Sequence, residues 1–146
     1  VEHLLRQLIE ADERRAPSLL LRLPPNIAMT DDLLFCDDAA EALVYLLELP
    51  RHALTTSSKS TAHINIGAGT SVPLSTLIRQ ACMTVGYTGE VRCQVEPDSS
   101  FLPMRWLDTR QLRELAWEPL IDLECGLELT CMDLRLRARA ERALEH

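Results

Sequence analysis

The sequence predicts an α/β fold, because segments with helical periodicity alternate with short segments of extended pattern. Residues 1–11 place apolar side chains on one helical stripe, whereas residues 90–96 alternate as a half-exposed strand does. Between them, residues 63–67 are typical of a strand entering a glycine turn before another helix. The chain has 146 residues, 47% hydrophobic and 4% aromatic, so we expect one aliphatic core.

The first half of the chain contains two predicted helices and two short extended runs. The helix at residues 1–11 begins without a capping residue, so we expect further sequence before it. Residues 18–23 are predicted to form a strand, followed by a loop to residue 32 and an extended run at 33–36. The second helix is expected to be capped by Asp37 or Asp38, with Glu41 completing a capping box, and Pro50 ends it.

The second half contains further helix and strand patterns. A polar stretch at residues 55–61 is typical of a linker or exposed loop. After the strand at 63–67, one helical face is predicted to be apolar and to end near Gly86; it carries Leu74, Leu77, Ile78, Ala81, Cys82 and Val85. A strand at 90–96, a loop at 97–103, a short helix at 108–115 and a long helix from about 122 to 145 complete the prediction.

Composition excludes several classes of function. The formal net charge is −7, so nucleic-acid binding is not expected. The one arginine-rich stretch lies at the end of the predicted last helix, where positive charges interact favourably with the helix dipole. Five scattered cysteines, without a C-x-x-C pair, indicate reduced thiols, four of them in runs that resemble buried strands or helix faces. The four histidines form no close pair with them, so no metal is expected.

Targeting signals are also absent from the sequence pattern. No apolar run is long enough for a membrane span and no signal-peptide pattern occurs, so we expect a cytoplasmic protein without membrane contact. Residues 144–146 match the start of a vector-encoded histidine tag, and we set them apart from residues 1–143.

Three motifs could carry chemistry, and each has a structural alternative. Gly67-Ala68-Gly69 invites comparison with a phosphate-binding loop, but Val72 stands where G-x-G-x-x-G needs its third glycine, which favours a plain turn. Asp37-Asp38 could be a catalytic pair, but its position favours a helix cap. Arg105, beside a loop proline and before Asp108, is suited to holding a phosphate, or else forms a surface ion pair.

Five segments in order resemble GDP-fucose synthases, extended short-chain dehydrogenases of the NAD-dependent epimerase/dehydratase superfamily that epimerise and reduce GDP-4-keto-6-deoxymannose with NADPH. Residues 33–42 resemble the R-E-F-L-x-V-D-D-L-A-x-A segment and residues 63–69 the H/Y-x-N-I-G-x-G strand. Residues 86–91 are similar to G-F-x-G-E-V, residues 103–112 to P-R-K-L-L-D-x-x-R-L, and residues 121–127 to I-S-L-E-E-G-L.

The resemblance implies a substrate-binding half over residues 1–143. It implies a partial doubly wound, Rossmann-like parallel sheet contribution together with a small α/β substrate-binding lobe. The family's cofactor fingerprint and its catalytic Ser and Tyr-x-x-x-Lys lie in the other half. The chain alone is therefore expected to have no catalytic residues and to bind no cofactor, NADP belonging to the complete enzyme.

The resemblance also nominates substrate contacts. Family members hold the nucleotide sugar with an Arg, a Trp and a second Arg. In this chain the three positions align with Gln7 (beside Arg6), with Arg22, and with Asp31 or a neighbour. Of the family's basic pair before Leu107, only Arg105 remains. Arg105, Arg6 and Arg22 are thus the expected GDP-sugar contacts, whereas Asp31 would repel a diphosphate.

Two classes of function follow. The chain is the nucleotide-sugar-binding part of such an enzyme, or it is a non-catalytic remnant or stand-alone interaction domain; a fragment of another sugar-nucleotide epimerase is a further alternative. Because Ile64 and Ile66 would expose an unpaired strand edge, we expect a homo-oligomer or a partner half.

Overall fold

The structure is a computed structural model that describes residues 1–23, 30–55, 63–95 and 107–144. Helices and strands are interspersed along these residues, and two of the strands form a parallel pair, which confirms the predicted α/β class. In chain order the elements are α1 (Glu2–Glu13), β1 (Ser18–Leu23), β2 (Thr30–Asp32), α2 (Cys36–Glu48), α3 (Arg51–Thr55), β3 (Ser71–Pro73), α4 (Leu74–Val85), β4 (Glu90–Val95), α5 (Arg110–Glu114) and α6 (Leu123–Leu144).

β1 and β4 form a parallel pair that organises the core. Their register sets Ser18 opposite Glu90 and Leu23 opposite Val95, so the carboxyl ends of both strands lie at one edge. In β1, Leu21 and Leu23 are buried while Arg22 between them is exposed, as the two-residue period of a strand requires. The strand predicted at 18–23 is therefore confirmed, and the strand predicted at 90–96 is confirmed over residues 90–95, residue 96 lying outside the described residues.

The main core lies where β1 and the helices α1, α4 and α6 meet. It is aliphatic, as predicted, with Leu5, Leu8, Leu21 and Leu127 almost fully buried. α4 ends as predicted at Gly86, whose φ of +86° is left-handed and whose N–H donates to the carbonyl oxygen of Cys82. Each fully buried leucine stabilises the fold by about 1.5–3 kcal/mol relative to exposure.

β2 and β3 form a short antiparallel pair that the sequence did not predict. Thr30, Asp31 and Asp32 lie opposite Pro73, Val72 and Ser71. The predicted loop to residue 32 is wrong over residues 30–32, and residues 24–29 lie outside the described residues. The extended run expected at 33–36 pairs with no described strand, and residue 36 already belongs to α2.

The strand predicted at residues 63–67 is not formed among the described residues. Ile64 and Ile66 instead pack, partly buried, against a second cluster made by Ala42, Leu112 and Trp117. The unpaired strand edge expected there is therefore wrong. The linker prediction for residues 55–61 falls almost wholly outside the described residues, Thr55 being the end of α3.

All five cysteines are free thiols, but their burial differs from the prediction. Cys131 is buried and Cys82 is half-buried, whereas Cys36, Cys93 and Cys125 are exposed. Burial raises the pKa of the Cys82 thiol, and nearby Cys93 adds to the effect. Over the parts of the chain that the structure describes, no helix is long and apolar enough to cross a membrane.

Candidate functional site

The turn at Gly67-Ala68-Gly69 is held by a carboxylate. Asp32, at the end of β2, accepts hydrogen bonds from the backbone N–H groups of Ala68 (2.7 Å) and Gly69 (3.0 Å). Gly69 has a φ of +69°, which a side chain disfavours. The turn predicted at this position is confirmed. The sequence did not indicate that Asp32 holds it, because Asp32 lies more than 30 positions before the turn.

This arrangement does not fit a dinucleotide phosphate. The two N–H groups that could have bound a phosphate oxygen are taken by the Asp32 carboxylate, which would also repel an anion. In addition, β3 separates the turn from α4, so no helix N-terminus points at it directly. The turn is structural, as the replacement of the third glycine by Val72 indicated.

Residues 107–109, which include the described end of the segment that resembles the family's P-R-K-L-L-D motif, dock onto this turn. Asn65 Nδ2 donates to the backbone carbonyl of Asp108 (3.1 Å). Thr109 is buried directly against Gly69, where a Cβ atom would collide with its hydroxyl, and Leu107 lies beside Gly67. Two family-like segments about forty residues apart in sequence thus form one surface.

Asp108 and Arg110 form a close, exposed ion pair on this surface. The guanidinium Nη2 lies 2.6 Å from Asp108 Oδ2, and Arg110 N–H also donates to Oδ1 at 3.1 Å. These hydrogen bonds lower the pKa of the Asp108 carboxyl to about 2. The helix expected from residue 108 begins at Arg110, with Thr109 at the cap position. The Asp108 carboxylate accepts the hydrogen bond from the backbone N–H of Arg110.

A cavity of about 230 Å³ lies between the turn and α5. Its walls include Gly67, Thr109, Arg113 and Trp117. Arg113 is exposed at this cavity, and its positive charge helps to lower the pKa of the Asp108 carboxyl. Its place one helical turn after Arg110 was the only sequence signal for it.

One face of α2 binds the connection between α5 and α6. Asp38 is buried and its Oδ2 accepts the backbone N–H of Ile121 at 2.9 Å. One turn on, the carboxylate of Glu41 accepts a hydrogen bond from Trp117 Nε1, and Tyr45 donates its hydroxyl to Leu115 O at 2.6 Å. The carboxylates of this motif therefore hold a distant segment.

The capping prediction at α2 is wrong. The cap position is Phe35, and no side chain caps the helix; Asp37 and Asp38 lie inside the first turn, where their charge still favours the helix dipole. Asp38 and Glu41 instead satisfy donors 83 and 76 residues away. Because both carboxylates are engaged in these bonds, they are unsuited to acid–base chemistry.

Two of the three expected substrate contacts are described. Arg6 lies on α1 and its Nη2 pairs with Glu2 at 2.8 Å. Arg22 lies exposed on β1, and its backbone N–H and carbonyl are bound by the amide of Gln7 at 3.1 and 3.2 Å. Gln7 thus joins α1 to β1 and is committed to structure. Arg105 lies outside the described residues.

The structure brings the predicted residues together only in part. Arg22 is next to the last residue of β1, and among the described residues no hydrogen bond or ion pair joins Arg6 or Arg22 to the turn. Asp31 is half-buried in β2, and its carboxylate accepts the N–H of Asp32 at 3.1 Å. No group of three or more His, Cys, Asp or Glu that could hold a metal occurs among the described residues.

The chain is similar to known proteins both in sequence and in fold. No family model matches the chain. GDP-L-fucose synthase of Escherichia coli is 31% identical over 129 residues, 87% of this chain, and that of Sinorhizobium fredii is 32% identical over 99 residues, 67% of this chain. These matches span 39% and 28% of the relatives, so the chain spans well under half of their length.

Solved structures share the fold. A GDP-6-OMe-4-keto-L-xylo-heptose reductase from C. jejuni superposes with a TM-score of 0.69 at 19% identity, covering 93% of this chain and 45% of that one. RMD from Pseudomonas aeruginosa complexed with NADPH superposes with a TM-score of 0.69 at 18% identity, covering 93% of this chain and 42% of that one. UDP-glucose 4-epimerase from Thermotoga maritima with UDP-glucose superposes with a TM-score of 0.66 at 22% identity, covering 93% of this chain and 38% of that one.

The chain has the Rossmann-like α/β fold that these solved structures share. Its sequence matches show that it is related to a segment of GDP-L-fucose synthase.

Proposed function

We propose that this chain is the nucleotide-sugar-binding portion of an NADP-dependent GDP-sugar epimerase-reductase and is not catalytic alone. The observation that carries the proposal is the 31% identity to GDP-L-fucose synthase over 87% of the chain. The GDP-heptose reductase with the same fold supports a GDP-sugar as the ligand class.

The sheet supports a ligand site at the carboxyl ends of β1 and β4. Ligands of open α/β sheets bind outside the carboxyl ends of parallel strands. Leu23 and Val95 end the two strands side by side, with Arg22 directly before Leu23. Arg105 lies outside the described residues, but in sequence it stands between Val95, the end of β4, and Leu107, which lies beside the glycine turn. Arg22 and Arg105 are the proposed diphosphate contacts.

Arg6 is the weaker contact of the three. Its guanidinium is already paired with Glu2, so a diphosphate must compete with that carboxylate. Gln7, which aligns with a family arginine, is committed to the backbone of Arg22 and is not a ligand group. Fewer cations are thus available than in the family pattern, and we expect weak binding.

The sequence supports the absence of catalysis by the chain alone. Its single lysine is Lys59, and residue 55, four positions earlier, is a threonine rather than a tyrosine. In the proposed function the Tyr-x-x-x-Lys pair and the cofactor loop come from another polypeptide segment. NADP belongs to that complete enzyme, and we expect no NADPH-dependent turnover of a GDP-4-keto sugar above a heat-inactivated control.

An exposed apolar patch on α2 supports a contact with that other segment. Leu43, Val44 and Leu47 are exposed there, and Leu47 is 84% exposed. Because a contiguous apolar patch on a helix marks a contact surface, we assign this patch to the catalytic half.

The alternative is a non-catalytic remnant on the same scaffold. Asp31 favours it, because a carboxylate stands near the position of a family arginine and repels a diphosphate. The structural bonds of Asp32, Asp38 and Glu41 would be kept in either case.

Calorimetric titration with GDP-mannose separates the two. In the proposed function Arg105→Ala and Arg22→Ala each weaken binding by roughly 1.5–3 kcal/mol, about ten- to a hundredfold, the usual range for a charge-assisted hydrogen bond. Arg105→Lys restores part of the affinity, because a point charge cannot reproduce the planar fork. Arg6→Ala has a smaller effect.

Matched control variants exist for two of these positions. Arg14 pairs with Glu10 on α1 in the same i,i+4 manner as Arg6 with Glu2, and Arg92 is an exposed arginine on β4. Arg14→Ala and Arg92→Ala should leave affinity unchanged. Equal affinity in all variants would show that the arginines are surface charges, and no binding by the wild type would favour the remnant.

A further inference from the structure

Gln7 of α1 makes a two-point contact with a single residue of β1. Its Oε1 accepts the backbone N–H of Arg22 at 3.1 Å, and its Nε2 donates to the backbone carbonyl of the same residue at 3.2 Å. The carboxamide thus offers Arg22 one donor and one acceptor, as a neighbouring strand would. Because both backbone groups of Arg22 are bound by one side chain, the contact fixes that backbone in place.

The contact lies near the end of a strand that has only one neighbour among the described residues. β1 pairs with β4 alone there, and Arg22 is the last residue but one of β1. Strand ends and open edges are where backbone hydrogen bonds break most readily. Gln7 therefore holds β1 at the point where the strand has least support of its own.

The helix that carries Gln7 is anchored in the main core. Leu4, Leu5 and Leu8 lie close to Gln7 on α1 and are buried, Leu5 and Leu8 completely. Gln7 itself is half-buried. The contact therefore ties the end of β1 to a rigid element rather than to a loop, which is the better support for a binding group.

The side chain of Arg22 projects away from the core. Leu21 and Leu23 on either side of it are buried, so the alternation of a strand sets Arg22 on the opposite face, where it is exposed. The register places the neutral Gln94 of β4 beside it. Once the backbone is fixed, the direction of the Arg22 Cα–Cβ bond is fixed too, at the edge where parallel sheets bind their ligands.

We propose that Gln7 is a positioning residue that holds Arg22 for its contact with the diphosphate, a role that rests on the proposed function. Gln7 acts only through Arg22 and does not touch the ligand. Ordering a long side chain on binding costs affinity, and a backbone fixed in advance reduces that cost. The charge of the contact comes from β1, and its position comes from α1.

Amide hydrogen exchange of the isotope-labelled chain, measured by NMR, tests the contact without any ligand. Gln7→Met keeps an unbranched side chain on the helix but removes the donor and the acceptor. The Arg22 N–H should then exchange about tenfold faster, because one hydrogen bond is lost. The Leu8 N–H, in the interior of α1, should be unchanged.

A second variant separates the two bonds of the contact. Gln7→Glu keeps the acceptor for the Arg22 N–H and loses only the donor, so it should retain the slow exchange. Unchanged exchange of Arg22 in Gln7→Met, or fast exchange in Gln7→Glu, would overturn the proposal. Circular dichroism should show both variants folded.

Titration of the labelled chain with GDP-mannose, followed by amide chemical shifts, tests the role in binding. Gln7→Met should raise the dissociation constant about three- to tenfold, the cost of ordering one long side chain. In an Arg22→Ala background the same substitution should have no effect, because Gln7 acts only through Arg22. The matched control is His3→Met, at an exposed position one helical turn earlier on α1, which should change neither exchange nor affinity.

The outcomes distinguish this role from the proposed function. Equal losses of affinity with and without the Arg22 side chain would show that Gln7 only stabilises the fold, and would overturn the proposal. Full affinity in Gln7→Met, or the same loss in His3→Met, would overturn it as well. If the wild type bound no GDP-mannose, the proposed function itself would fail, and the role of Gln7 with it.

Discussion

Asp32 is the residue on which the glycine turn depends most. Its carboxylate accepts hydrogen bonds from the backbone N–H groups of Ala68 and Gly69. Leu107 and Thr109 pack against the turn that these bonds hold. Asp32→Ala removes both acceptors at once and leaves the turn held only by packing. We therefore expect this substitution to destabilise the whole site surface rather than one loop.

The magnitude follows from the two bonds. A hydrogen bond to a charged group contributes about 1.5–3 kcal/mol when buried, and this site is only partly buried. Taking the low end for each bond, Asp32→Ala should lower the free energy of unfolding by about 3 kcal/mol. Asp32→Asn keeps one oxygen acceptor but loses the charge, so we expect about half of that loss.

Urea denaturation at neutral pH, followed by circular dichroism, measures this series. The neighbouring Asp31→Ala is the control, since the Asp31 carboxylate accepts only the N–H of Asp32. Its cost should stay below about 1 kcal/mol, the usual net value of one hydrogen bond. Equal losses at both positions, or an unchanged midpoint in Asp32→Ala, would refute the assignment of Asp32 as the group that holds the turn.

Two further predictions concern the same surface. The pKa of Asp108 is lowered from 3.8 to about 2, so its pair with Arg110 favours the folded state above about pH 4 and this contribution is lost as the pH falls through about 2. Asp108→Asn should therefore flatten the acid limb of a stability–pH curve; an unchanged limb would contradict this. Gly69→Ala should cost more than the roughly 1–2 kcal/mol of Gly86→Ala, because both glycines have positive φ but only Gly69 faces Thr109. Thermal unfolding compares them, and equal costs would show that the contact is loose.

Local pattern was sufficient for the elements of the main core. The helical stripe with Leu5 and Leu8, the alternation in residues 18–23 and 90–96, and the glycine that ends α4 are all set by neighbouring residues, and all were predicted. The resemblance also identified the segments that meet at the glycine turn. These features depend on periodicity or on a single residue with positive φ.

The parts that could not be predicted depend on distant partners. Three-residue strands such as β2 and β3 have no period of their own, and Pro73 argues against a strand. Asp38 and Glu41 match a helix start by local pattern, but their donors are Ile121 and the indole of Trp117. Tertiary hydrogen bonds of this kind leave no signal in the local sequence.

Calorimetry of the wild-type chain with GDP-mannose and, separately, with NADPH tests the central claim most directly. A nucleotide-sugar-binding portion without a cofactor loop should give saturable heat with GDP-mannose and none with NADPH. Saturable heat with NADPH, or equal affinity for GDP-mannose and UDP-glucose, would contradict the proposed assignment to a GDP-sugar site that depends on another segment for its cofactor.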